Sequence, residues 1–191
     1  MLRIPKVLVA CFFLFAVCAQ ADTILCVGIN DYANYPDLKH AENDAEEMGK
    51  LFRSRGHDVT VLTGEEVTTR NLQDALGKSP AFVYFAGHGK KDRLVVQDGH
   101  LPLAEMGGKG AMILLDCCYV GRSLKTSGST KILAAAEYEA FESDGHGLFT
   151  KYLLNWLKDG KGLNEQALTT YLEKNIAEET GGWQKPVLGY I

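Results

Sequence analysis

Short apolar runs alternate with amphipathic ones along this chain. "TILCVGI" (23–29), "DVTVLT" (58–63), "AFVYFA" (81–86), "AMILLD" (111–116) and "KILAAAE" (131–137) are brief and mostly apolar. Runs of that length read as central parallel strands, which helices cover on both faces. Between them, "NDAEEMGKLFRSRG" (43–56) sets Ala45, Met48, Leu51 and Phe52 on one stripe and stops at Gly56, which predicts an amphipathic helix. "TTRNLQDALG" (68–77) opens on a threonine cap and closes on glycine, a second helix. "GLFTKYLLNWLKDG" and "LNEQALTTYLEKNI" predict two more, and "KPVLGYI" a last strand. "RLVVQDGHLPLAEM" (93–106) reads as a small hairpin inserted between two sheet strands. The alternation predicts a three-layer α/β/α sandwich around a mostly parallel sheet of about six strands with right-handed crossovers. No internal repeat or long linker divides it.

The first stretch, "MLRIPKVLVACFFLFAVCAQAD", stands apart. Arg3 and Lys6 give a positive start, an apolar run follows from Val7 to Val17, and Ala19-Gln20-Ala21 offers small residues to a peptidase. That is the layout of an export signal, and its apolar run is short for a membrane span. Residues 1–21 are therefore read as a signal peptide cleaved after Ala21. Lipid anchoring at Cys11 is disfavoured because most of the apolar run lies beyond it. Residues 22–191 are one domain, in the periplasm or secreted. Without Arg3 and Lys6 the net charge moves from −4 to −6. An acidic surface without a basic run argues against nucleic acid as a partner. Cys26, Cys117 and Cys118 remain. An odd count is no disulfide scaffold, so at least one thiol is left to be buried or used.

In an open parallel sheet, functional groups gather beyond the carboxyl ends of the strands. "AFVYFA" runs directly into Gly87-His88-Gly89, and "AMILLD" directly into Cys117-Cys118. Two sheet strands therefore deliver an imidazole and a thiol to one rim. The other "GHG", around His146, follows Glu142, Ser143 and Asp144 and reads as a solvated loop before a helix. His40, His57 and His100 take surface or turn roles. Gly89 lets a backbone N–H approach a ligand, as an oxyanion donor must. Neighbouring residues on a strand face opposite ways, so only one of Cys117 and Cys118 points at the site. Asp116 would stand beside Cys118 and raise its pKa, which calls for another purpose, such as receiving a cationic substrate group. Adjacent cysteines without a C-x-x-C spacing do not make a zinc site.

The set "ILCVGINDY", "LKHAENDAEEM", "VYFAGHG", "ILLDCCYVG" and "ILAAAEYEAFESDGHGLFTKYLL", in this order, resembles the bacterial caspase-like peptidases, relatives of metacaspases often called orthocaspases. The resemblance runs from about Thr23 to Leu157 and implies a caspase-like fold. It implies that His88 is the general acid/base, that Cys118 is the nucleophile and that Cys117 is a packed neighbour. It further implies an acidic pocket for arginine or lysine formed by Asp44 and Asp116. Tyr119-Val120 depart from the His-Ser usual in metacaspases.

The expectation is an exported thiol protease cutting after arginine or lysine, with Gly89 and Cys118 N–H groups holding the oxyanion. The other class is a binding or regulatory module on the same fold without effective catalysis. A phosphate-binding role is poorly served, since "GINDYANYPDL" is no glycine-rich loop. Neither metal nor cofactor is expected, and clustered aspartates that would support calcium dependence are missing. The partner is a peptide or protein with a basic residue before the cut, with no membrane contact after signal removal. The protein itself is read as a monomer or weak dimer. "YVGRSLKTSGSTK" (119–131) has the composition of an exposed loop, so self-cleavage is expected at Arg122, Lys125 or Lys131.

Overall fold

The computed structural model describes residues 22–106 and 111–191. The expected signal peptide, 1–21, lies outside the described residues. The elements are β1 (Thr23–Gly28), α1 (Ala41–Ser54), β2 (Asp58–Thr63), α2 (Thr69–Leu76) and β3 (Phe82–Ala86). There follow β4 (Gly89–Lys90), β5 (Arg93–Val96), β6 (Gly99–Pro102), β7 (Met112–Asp116) and β8 (Lys131–Ala134). The last are β9 (Glu142–Ser143), β10 (His146–Gly147), α3 (Leu148–Lys158), α4 (Glu165–Thr180) and β11 (Val187–Tyr190). Six strands form the main sheet in the order β11-β8-β7-β3-β1-β2. All its pairs are parallel except β11 with β8. No helix among the described residues is long and apolar enough to cross a membrane.

Both faces of the sheet are covered, which explains why its strands read as continuous apolar runs. Ile24, Cys26, Tyr84, Leu114 and Leu133 face one core, with residues from α1, α3 and α4. Leu25, Val27, Val83, Phe85, Ile113 and Leu115 face the other, with residues from α2, β5 and β6. Thr68 caps α2, its side chain accepting the Asn71 N–H at 3.2 Å.

Two local readings change, and a third is refined. β8 ends at Ala134 rather than Glu137; the Ala135 N–H still bonds the Leu115 carbonyl at 2.7 Å, after which the chain turns toward the rim. The hairpin is three-stranded, because Gly89–Lys90 pairs with β5. The segment 119–131 is exposed at Arg122 and over 125–129, as expected, but it is tied down at two points. Lys125 exchanges two backbone hydrogen bonds with Tyr190, both 2.9 Å, and Lys131 opens β8 with its ammonium on Glu165. Arg122 sits in a short 3-10 turn over the Tyr138 ring. Cleavage at Lys125 or Lys131 would require peeling backbone from the sheet, so Arg122 is the better placed of the three.

The start of α1 lies directly against the end of β1. A Cβ on Gly28 would stand 2.2 Å from the Ala41 carbonyl oxygen and 2.8 Å from the Ala45 Cβ. Neither backbone can yield cheaply. Gly28→Ala is expected to destabilise by about 1–3 kcal/mol, as overpacking usually does, read as a lower urea midpoint with an unchanged slope. A variant as stable as the parent would show that α1 is free to shift.

Candidate active site

Residues Ala86 and Asp116, the last of β3 and β7, are paired neighbours. The chain therefore leaves the sheet twice at one place, once into Gly87-His88 and once into Cys117-Cys118. The two exits are packed tightly: a Cβ on Gly89 would lie 2.6 Å from the Cys118 carbonyl and 2.8 Å from the Cys117 sulfur. Beside them an open cleft is lined by His88, Cys118, Asp44, Asp116, Ala140 and Glu142, among others.

The His88 ring is held from one side. Its Nε2 lies 2.7 Å from the Pro36 carbonyl. A carbonyl only accepts, so Nε2 carries the proton and Nδ1 is the nitrogen left with a lone pair. The His88 N–H donates to the Tyr32 hydroxyl at 2.9 Å, and the Tyr32 and Tyr35 rings stand 4.8 and 5.7 Å from the imidazole. Tyr35 in turn meets His100 Nε2 at 2.9 Å.

The two cysteines are separated by burial. Cys117 packs into the second core, whereas Cys118 is half-buried in the cleft wall. The Ala140 N–H donates to Cys118 Sγ at 3.3 Å, and the thiol faces the Ala140 carbonyl at 3.9 Å. Burial pushes the Cys118 thiol above its ordinary range, against the Ala140 N–H and with help from Asp116 and Glu139. It therefore rests protonated at neutral pH and needs a base to become a nucleophile. The neighbouring Phe141 N–H donates to buried Gln184 at 2.9 Å, which braces this loop.

Two buried carboxylates line the cleft. Asp116 Oδ2 accepts from the Thr150 N–H at 3.1 Å and the Thr150 hydroxyl at 2.6 Å. The same hydroxyl meets Tyr84 Oη at 2.5 Å. Asp44, in the first turn of α1, accepts from the Gly147 N–H at 2.8 Å through one oxygen and is paired with His146 Nδ1 through the other. Burial, with Asp116 nearby, pushes Asp44 up to about 8 against the Gly147 N–H. Burial likewise raises Asp116 to about 6, against the two Thr150 donors. Glu142 adds negative potential to both.

The family model described as a caspase domain matches residues 22–189. The chain belongs to the caspase domain family. Its fold is also that of a protein from Geobacter sulfurreducens known from a crystal structure, with TM-score 0.70 and 17% sequence identity over 88% of this chain and 92% of that one. No curated protein sequence matches. In this caspase domain the fold brings His88, Cys118, Asp44 and Asp116 to one cleft, with Gly89 beside Cys118. Among the described residues no three His, Cys, Asp or Glu side chains are grouped to hold a metal.

The structure corrects one reading and adds several residues. His146 is not a solvated loop residue; it is half-buried against Asp44. Pro36, Tyr32, Ala140, Glu142 and Thr150 were not singled out from the sequence. Thr150 left a trace there: it is a polar residue in the otherwise apolar start "LFTKYLL".

Proposed function

We propose that this caspase domain is an exported cysteine endopeptidase cutting after arginine or lysine. One observation carries the reading: a single cleft holds a thiol, an imidazole whose Nε2 is taken by the Pro36 carbonyl, and two buried carboxylates. His88 takes the proton of the Cys118 thiol, and the sulfur attacks the scissile carbonyl. The proton then goes to the leaving amine, and His88 next activates the water that hydrolyses the thioester. Backbone N–H groups of Gly89 and Cys118 receive the oxyanion, each worth about 2.7–4 kcal/mol in such sites. Asp44 and Asp116 receive the basic side chain, while an aspartyl side chain would meet like charge.

The test is a panel of fluorogenic peptides varied only in the residue before the cut. Arginine and lysine should be turned over and aspartate rejected; preference for aspartate or a neutral residue would overturn the specificity. A second reading, a binding module, is favoured by the raised Cys118 pKa and its clamp on Ala140. It predicts no hydrolysis of any peptide and no labelling of Cys118 by an arginyl chloromethyl ketone.

A further inference from the structure

Asp116 and Asp44 line the same cleft but are held by different chemistry. Asp116 is held by a hydroxyl and an N–H of Thr150, neither of which titrates in the working range. Asp44 is held by two consecutive residues of the β9–β10 ribbon, the imidazole of His146 and the N–H of Gly147. The ribbon's turn, Asp144-Gly145, has φ of 53° and 86°, a reversal that folds β10 back onto α1. Two donors, one on each oxygen, fix the plane of the Asp44 carboxylate.

Around Asp44 the other charged groups are mostly acidic, and the imidazole is the side chain that meets it. Asp116 on β7, Glu142 on β9 and Glu47 on α1 all disfavour its ionisation. Tyr84 on β3 has its hydroxyl at Thr150, and Lys151 on α3 is taken by Asp144 and Glu179. His146 is thus the basic side chain that meets Asp44, and it does so without lining the cleft itself.

We propose that His146 is a positioning residue for cation recognition: through its Nδ1 contact it holds the Asp44 carboxyl group aimed so that a guanidinium or ammonium of the substrate is selected. The inference rests on the cationic-pocket reading above. It also gives that pocket a proton-dependent element, because a proton taken up by the Asp44–His146 pair cancels one negative charge of the cleft whichever partner holds it. The effect of losing His146 falls on recognition of charge, because its contact is with Asp44 rather than with Cys118 or His88.

The experiment compares peptidyl-arginine with peptidyl-citrulline, its neutral near-isostere, in the parent, His146→Ala, His146→Asn and His146→Gln. The parent should favour arginine in kcat/KM. In His146→Ala that ratio should fall about 10-fold, the scale of one lost hydrogen bond to a charged group, through KM for arginine more than through kcat. His146→Asn, whose amide nitrogen falls near the imidazole Nδ1, should recover most of the ratio, whereas His146→Gln, which carries its amide further out, should not. An unchanged ratio in His146→Ala would overturn the role of His146 and leave the acidic pocket standing. Equal recovery by Asn and Gln would overturn it too, and so would parallel losses on both peptides together with a lower melting temperature. A parent that does not distinguish the peptides would remove the cationic pocket, and with it this inference. If His146→Ala does not fold, the Asn and Gln pair decides alone.

Discussion

His88→Ala is expected to lower kcat/KM on arginyl peptides by about 10²–10⁴, the usual contribution of a general acid/base. Replacing Cys118 by alanine should remove turnover altogether, because the thioester can no longer form. Cys117→Ala should keep most of it, since that sulfur is fully buried, packing against Gly89 and in the second core. Peptide mapping after iodoacetamide should place the label on Cys118, with Cys26 and Cys117 protected by burial. Pro36 fixes the imidazole's orientation by taking Nε2, which would leave Nδ1 as the nitrogen for base chemistry in the proposed mechanism. An active Cys118→Ala, or a dead Cys117→Ala that remains folded, would move the nucleophile. His88→Ala at parental activity would remove the base from the mechanism.

Asp44→Asn should raise KM for arginyl peptides by about 10- to 100-fold, the range for a hydrogen bond between charged groups. Asparagine keeps the shape and an acceptor for Gly147 while deleting the charge, so the change reports on recognition more than on folding. The pH dependence follows from the same groups. A bound cation favours the ionised carboxylates, and these ionise as pH rises through values held up by burial, about 6 for Asp116 and about 8 for Asp44. The inhibition constant of benzamidine, a non-covalent cation, should therefore fall as pH rises from about 6 to about 8 and level off above that. Asp44→Asn should remove the upper part of that dependence. A flat profile, or tighter binding at low pH, would show that the carboxylates do not take the cation.

The strands were legible because parallel strands buried on both faces leave no polar positions, and the runs from Phe82 and Met112 show this plainly. The exit of His88 and Cys118 on one rim followed from strand polarity alone. What could not be read were meetings across the chain. Asp44 and His146 are 102 residues apart, and local pattern carries no information about which loops touch. The same holds for Pro36 on His88, a backbone carbonyl without any side-chain signature. The early end of β8 was hidden because Ala135 and Ala136 stay buried after leaving the sheet, so apolar character outlasts strand geometry. The antiparallel run of β11 was equally silent, because a four-residue apolar stretch reads alike in either direction.

The pairing of Lys125 with Tyr190 bears on how copies of this chain meet one another. β11 is the last strand of its sheet, and such a border is a template for a strand from another molecule. Tyr190 already spends its N–H and carbonyl on Lys125, and a Cβ on Gly189 would lie 2.6 Å from that of Leu124. The chain thus screens the end of its own border with the segment that follows Cys118. A cut at Arg122 would free one end of that screen, so self-association and proteolytic history become a single question: intact and nicked preparations should be kept apart when molecular mass in solution is measured.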